Sequence, residues 1–194
     1  MKSTKNKINN TLILIVGILL FLLSYKFDVQ VNLFFKNAKF PVIDTVLSIA
    51  TNFGVVILII LITPSIILYK KNKKIVYALW ASFTASIILA FIIKIIVLRQ
   101  RPIDTFTYPF ISIINYSFPS MHAMAVFSLL PLLAKYLPKQ KFFWVIFAFL
   151  TAFSRIYFRF HFLSDVIFGA FVGYFVSIYV LELYEKKKLR KSAG

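Results

Sequence analysis

The sequence predicts an all-α membrane protein: one domain over residues 1–194, built as a polytopic bundle of six transmembrane helices. Three observations lead there. Hydrophobic residues make up 60% of the chain and charged ones 15%, with a mean hydropathy of +0.85. A soluble domain of this length cannot bury so much apolar surface, so its solvent is a bilayer. The apolar residues run continuously in six stretches, at 11–25, 53–69, 75–98, 121–137, 142–157 and 163–183. Backbone groups in hydrocarbon must be satisfied internally, and unbroken runs without alternation favour helices over a closed barrel. Finally, lysines and arginines cluster between alternate stretches, the pattern that sets orientation in a membrane.

Each element has its own signals. The first stretch follows a basic start, as in a signal peptide, but Lys26-Phe27-Asp28 offers no small-residue cleavage site, so it is read as a span. Residues 28–52 are aromatic, mildly charged and too broken to span. They read as an interfacial stretch in which Pro41 opens a short helix feeding the second span. The third run carries Lys94, and Pro102 pushes Arg101 out of helical geometry, so this helix should end near it. The fourth begins after Pro119-Ser120, a favourable helix start. The first, fourth and fifth runs are short against the ~17–25 residues of a span, and interfacial turns must extend them. At the start of the sixth, His161 and Asp165 lie four apart and share a face if helical.

With the N-terminus inside, one face collects Lys2, Lys5, Lys7, Lys70, Lys71, Lys73, Lys74, Lys135, Lys139, Lys141, Lys186, Lys187, Lys188, Arg190 and Lys191, fifteen of 23 basic residues. Both termini are therefore expected in the cytoplasm. The net charge of +17 is spread as a topology signal with anionic-lipid contact, and no nucleic-acid partner is expected. No cysteine is present, which excludes disulfides, thiolate nucleophiles and cysteine metal sites.

Five of the other eight basic residues belong to or flank three polar clusters: Lys94-x6-Arg101-Pro102, Pro119-Ser120-Met121-His122 and Ser154-Arg155-x5-His161-x3-Asp165. On the expected topology all three fall at the outer membrane face. Lys94 inside an apolar run costs ~2.5–3.5 kcal/mol on insertion scales and needs a partner or a wet cavity. Alone it could equally be snorkelling to the interface. Arg101 can turn back over the helix end, and its fork suits two phosphate oxygens. Arg99 reads first as an interfacial anchor and second as a phosphate contact. The helix start at Ser120 presents free N–H groups and a positive dipole end to an anion, with His122 in the first turn. Asp165 can accept the His161 N–H, fixing a tautomer and leaving the other nitrogen to attack. Each signal alone also fits a capped span or an interfacial hydrogen bond. Together they describe a cationic, two-histidine phosphoryl-transfer site, with the attacking histidine left open.

These residues resemble the type 2 phosphatidic acid phosphatase family of integral-membrane lipid phosphatases, whose signature reads K-x6-R-P, P-S-G-H and S-R-x5-H-x3-D. The resemblance implies His161 as the nucleophile forming a phosphohistidine, Asp165 as its orienting carboxylate and His122 as the proton donor to the leaving group. Lys94, Arg101, Arg155, Ser120 and the Met121 backbone would hold the phosphoryl oxygens. It implies no metal and no cofactor, and a lipid phosphate substrate such as a polyprenyl diphosphate, phosphatidylglycerol phosphate or phosphatidic acid. Two positions depart: Met121 replaces glycine, and Arg159 stands where a small residue is usual. The alternatives are a non-catalytic lipid-binding or lipid-moving protein, against which an oriented histidine argues, and a transporter. The latter would place ionisable groups at mid-depth in several spans, and only Lys94 approaches this.

Overall fold

All six apolar stretches are helical in the computed structural model, which describes residues 2–37, 40–103 and 115–192. Side chains are described for 11–37, 40–103 and 115–187, so those of Lys2, Lys5, Lys7, Lys188, Arg190 and Lys191 lie outside the described residues. The helices are α1 (Lys2–Asn37), α2 (Pro41–Thr51), α3 (Phe53–Ile57), α4 (Thr63–Tyr69), α5 (Lys73–Val97), α6 (Met121–Phe127), α7 (Leu130–Tyr136), α8 (Lys141–Tyr157) and α9 (Leu163–Ser192). Among the described residues three segments are long and apolar enough to cross a bilayer: Thr11–Asn37, Lys73–Val97 and Leu163–Lys187. A fourth arises if the pair Pro41–Thr51 and Phe53–Tyr69, bent by 63°, counts as one span.

Four breaks have identifiable causes. Between α3 and α4 the helix widens to a π turn over Leu58–Ile62, where the Thr63 N–H and Oγ1 both reach the Leu58 carbonyl. Pro64 follows at once and lacks the N–H that Ile60 would have received. The expected fourth span is likewise split at Ser128–Leu129, because Pro131 cannot bond the Phe127 carbonyl. Next to the break, the Ser128 carbonyl accepts Ser82 Oγ at 2.6 Å. Asn52 caps α3 by accepting the Val55 N–H, which stops α2 and sets the bend. Helix α5 stops at Val97, earlier than Pro102 alone required, because Leu98 adopts a left-handed conformation with φ 51°.

Residues 28–37 correct the sequence expectation. They are not broken: α1 runs through them, and they complete the apolar segment Thr11–Asn37. Asp28, which made that stretch look unsuited to a span, is 3% exposed. Its carboxylate accepts the Ser164 N–H at 2.8 Å, Ser164 Oγ at 2.5 Å and Arg99 Nη2 at 2.7 Å. A charge so compensated does not break an apolar helix. The short helix opened by Pro41 does form.

Helix α9 is the packing centre, touching α1, α5, α6, α7 and α8. Its closest approach is to α6, where Gly169 and Gly173 face Ser120 and Met124. A Cβ on Gly173 would press into the Met124 backbone, so the four-residue glycine spacing lets the two backbones meet. The apolar core, including Val56, Ile60, Leu61, Leu79, Leu132, Leu133 and Trp144, fills one end of the bundle. At the other end the termini of α2, α5, α6, α8 and α9 gather, and the polar clusters with them. Gly173→Ala should therefore lower stability by about 1–3 kcal/mol through overpacking. Thermal unfolding in detergent checks this, and an unchanged midpoint would refute the close contact.

Candidate active site

Backbone hydrogen bonds knit the three clusters together. The Ser117 N–H donates to the Arg99 carbonyl at 2.7 Å, and the Ser120 N–H donates to the Asp165 carbonyl at 3.1 Å. Lys94 is 1% exposed, and its ammonium donates to the carbonyls of Tyr116 at 2.5 Å and Ser117 at 3.4 Å. The charge inside the apolar run thus clamps the segment that leads into the second cluster. Arg101 does the same from outside, donating from Nε to the Asn115 carbonyl at 2.9 Å and from Nη1 to the Phe160 carbonyl at 2.7 Å.

These contacts frame a cavity of about 470 Å³. One wall carries Lys94, Arg101, Met121, His122, Arg155 and His161; the facing wall carries Ser48, Thr51, Asn52 and Phe53 from α2 and the start of α3. Among the described residues no carboxylate lines it, and those that do line it give it a positive charge. Arg155 is held by the Thr51 hydroxyl and carbonyl and lies over the Phe160 ring, 4.5 Å from its centroid. The His122 ring meets Phe53 edge-on at 4.7 Å, and its Nε2 is buried without a hydrogen-bond partner among the described residues. Among the described residues no three His, Cys, Asp or Glu side chains gather into a metal-ligand set.

Asp165 stands behind His161, fully buried. Its Oδ1 accepts Arg99 Nη1 at 2.7 Å, and its Oδ2 accepts the Phe162 N–H at 2.9 Å and the Ser117 hydroxyl. His161 Nδ1 lies 3.6 Å from Oδ2. The pair does not share a helix face as expected: α9 begins at Leu163, and His161 precedes it. Asp165 caps the helix start instead and meets the imidazole from there. On the far side of the ring, Arg101 Nη1 approaches Nε2 at 3.5 Å. Burial, followed by the Arg101, Arg155 and Lys94 cations, holds the His161 imidazole well below the usual histidine range. It is neutral near pH 7, the form able to attack.

The structure brings Lys94, Arg101, Met121, His122, Arg155 and His161 to one cavity, with Asp165 immediately behind. Ser120 is fully buried as the N-cap of α6, its Oγ accepting the Ala123 N–H at 3.4 Å. Met121 has no positive φ and opens α6, so its side chain strains nothing. Arg159 stays outside the cavity, in a left-handed turn, with Nε donating to Asn32 Oδ1 at 2.7 Å. Arg99, expected as an interfacial anchor or a phosphate contact, is not among the residues that line the cavity. It bridges Asp28 and Asp165, and Phe162 covers it at 4.0 Å. Sequence reasoning passed over Asp28, Ser117 and Thr51. Asp28 alone left a signal, as one of six acids in the chain and lying in an apolar context.

A helix bundle that gathers cations and imidazoles around one cavity can be compared with known proteins. The model of the PAP2 superfamily matches residues 75–189. The chain belongs to that family. It is 28% identical over 137 residues to an undecaprenyl-diphosphatase from Sulfolobus acidocaldarius, covering 67% of this chain and 65% of that relative's length. Its fold is also similar to that of a transmembrane PAP2-type phosphatidylglycerolphosphate phosphatase from Bacillus subtilis. There the TM-score is 0.68 at 20% identity, over 91% of this chain and 96% of that one.

Removing Arg99 would strand two buried carboxylates. Arg99→Leu should cost about 3–5 kcal/mol, and adding Asp28→Asn should recover part of it. Thermal midpoints of the single and double variants measure this, and a stable Arg99→Leu protein would contradict the bridge.

Proposed function

We propose that this protein is a membrane lipid phosphatase that cleaves the phosphate or diphosphate headgroup of a lipid through a phosphohistidine on His161. One observation carries the reading: two imidazoles and three cations share one cavity wall, with a buried carboxylate behind only one of the imidazoles. A site that merely gripped anions would need the cations alone.

The chemistry follows from that placement. A lipid phosphate is held by Lys94, Arg101 and Arg155, whose charges offset those developing on the phosphoryl oxygens. The neutral His161 Nε2 attacks phosphorus in line. The P–N bond forms as the P–O bond to the lipid breaks, and His122 gives its proton to the leaving oxygen. Water then attacks the phosphohistidine with His122 as base, releasing inorganic phosphate and restoring both rings. Ser120 and Met121 contribute the α6 start, whose N–H groups and dipole favour the anion.

The six helical segments are proposed as six spans, with both termini in the cytoplasm and the cavity opening at the outer face of the cell membrane. This orientation rests on the distribution of lysine and arginine. The substrate is then a lipid of the outer leaflet, either a polyprenyl diphosphate or a glycerolipid bearing a terminal phosphate. Catalysis is proposed to need no metal, since the side-chain cations occupy the position that a metal would.

Two outcomes test this. Purified wild-type protein should release phosphate from at least one member of a panel of polyprenyl diphosphates, phosphatidylglycerol phosphate and phosphatidic acid. His161→Ala should abolish release, and turnover by that variant would remove the nucleophile. Excess chelator should leave wild-type turnover unchanged, whereas a strict Mg²⁺ requirement would overturn the metal-free mechanism.

A further inference from the structure

We propose that Ser117 is a positioning residue for His161, its hydroxyl standing between the Asp165 carboxylate and the Nδ1 edge of the imidazole. The inference rests on the phosphatase reading above. Ser117 lies outside the three sequence clusters, two residues before Pro119, and is fully buried.

Four contacts define its place. The Ser117 N–H donates to the Arg99 carbonyl at 2.7 Å, and its carbonyl accepts Lys94 Nζ at 3.4 Å. Its Oγ donates to Asp165 Oδ2 and lies 3.4 Å from His161 Nδ1, nearer than the carboxylate oxygen at 3.6 Å. The backbone of Ser117 is thus fixed by the same arginine and lysine that organise the site, so its side chain has little freedom.

The proton inventory then decides the tautomer. A hydroxyl has one proton, and Ser117 gives it to Asp165. Towards Nδ1 it can offer only a lone pair, so Nδ1 must carry a hydrogen. The opposite edge agrees independently. Arg101 can only donate, and its Nη1 faces Nε2 at 3.5 Å, so Nε2 must hold the lone pair. Nε2 is the nitrogen on the Arg101 side, next to where a phosphate would sit. Asp165 meanwhile spends its charge on Arg99, Phe162 N–H and Ser117. The resting imidazole faces a hydroxyl dipole backed by a compensated carboxylate, and so stays neutral and nucleophilic. When Nε2 bonds to phosphorus the ring becomes positive, and the Ser117 oxygen and Asp165 behind it stabilise the Nδ1–H without taking the proton.

The test combines kinetics with a readout that does not need turnover. Ser117→Ala should lower kcat by about 10- to 100-fold, the range seen when a metal-bound histidine loses the partner that orients it, with KM nearly unchanged. Its acidic limb should move to higher pH. Asp165 loses a donor and exerts its full charge on the Nδ1–H, which outweighs loss of the neutral Ser117 dipole, while Arg101, Arg155, Lys94 and His122, the other groups facing it, are unaltered. Ser117→Thr, which restores the hydroxyl, should recover both rate and limb. Separately, 15N-histidine NMR of His122→Gln, where His161 is the one remaining histidine, should show the neutral Nδ1–H tautomer.

An Nε2–H tautomer would overturn the proposal, as would Ser117→Ala with wild-type kcat and acidic limb. If Ser117→Ala does not fold, the Thr variant and the tautomer decide. A wild-type protein that releases no phosphate from any lipid in the panel would instead end the phosphatase reading, and the tautomer would still report on the placement of Ser117.

Discussion

A carboxylate with no solvent contact has to be compensated, and the site is organised around that need. Asp165 is fully buried at the start of α9. An isolated ionised carboxylate in such a place would be prohibitively costly. It is answered by a guanidinium from the end of α5, a hydroxyl from the segment before α6 and a backbone N–H from its own helix start. Three stretches that are distant in sequence are thereby drawn to one point. The cavity, with its two imidazoles, is what remains in front of that point.

The compensation is itself compensated. Arg99 reaches two carboxylates, Asp28 on α1 and Asp165 on α9, and so ties the first helix to the last. To do so the chain must leave α5 abruptly, and Leu98 adopts a left-handed conformation that an ordinary side chain avoids. The strain is of the order of 1 kcal/mol, small beside the cost of leaving either acid unpaired. Glycine spacing on α9 lets α6 come close enough for the Ser120 N–H to reach the Asp165 carbonyl. Packing and charge thus support the same geometry: the apolar core fills one end of the bundle and the ion network closes the other.

Much of this was legible in the sequence, because apolar runs and clusters of charged residues both leave local marks. The six helical segments, the short helix opened by Pro41, and the convergence of Lys94, Arg101, His122, Arg155 and His161 could all be read from hydropathy and motif spacing. What could not be read depends on long-range partners. Asp28 and Arg99 are 71 positions apart, and only the fold makes them a pair. Without that pairing, Asp28 looked like a break in α1. His161 and Asp165 suggested a helical face, but the carboxylate also served as the helix cap, which moved the helix start past the histidine. The splits at Pro64 and Pro131 were foreseeable in kind, and they were missed because continuous hydropathy was given more weight than the prolines. No local feature of Leu98 announces its left-handed turn.

The family match begins at residue 75, yet the site does not. Every cation and imidazole on the cavity wall comes from 94–161, whereas the facing wall is Ser48, Thr51, Asn52 and Phe53. That wall is not passive. The Thr51 hydroxyl and carbonyl hold the Arg155 guanidinium, and Phe53 packs on the His122 ring. Tyr157 then ties α8 to the beginning of α2 by donating to Asp44 and accepting the Phe40 N–H at 3.3 Å. The cations and imidazoles therefore lie within the matched region, and what closes the space in front of them is a bent helical segment outside it. The two parts are joined through Arg155, so a change in the neutral wall at Thr51 reaches the charged wall directly.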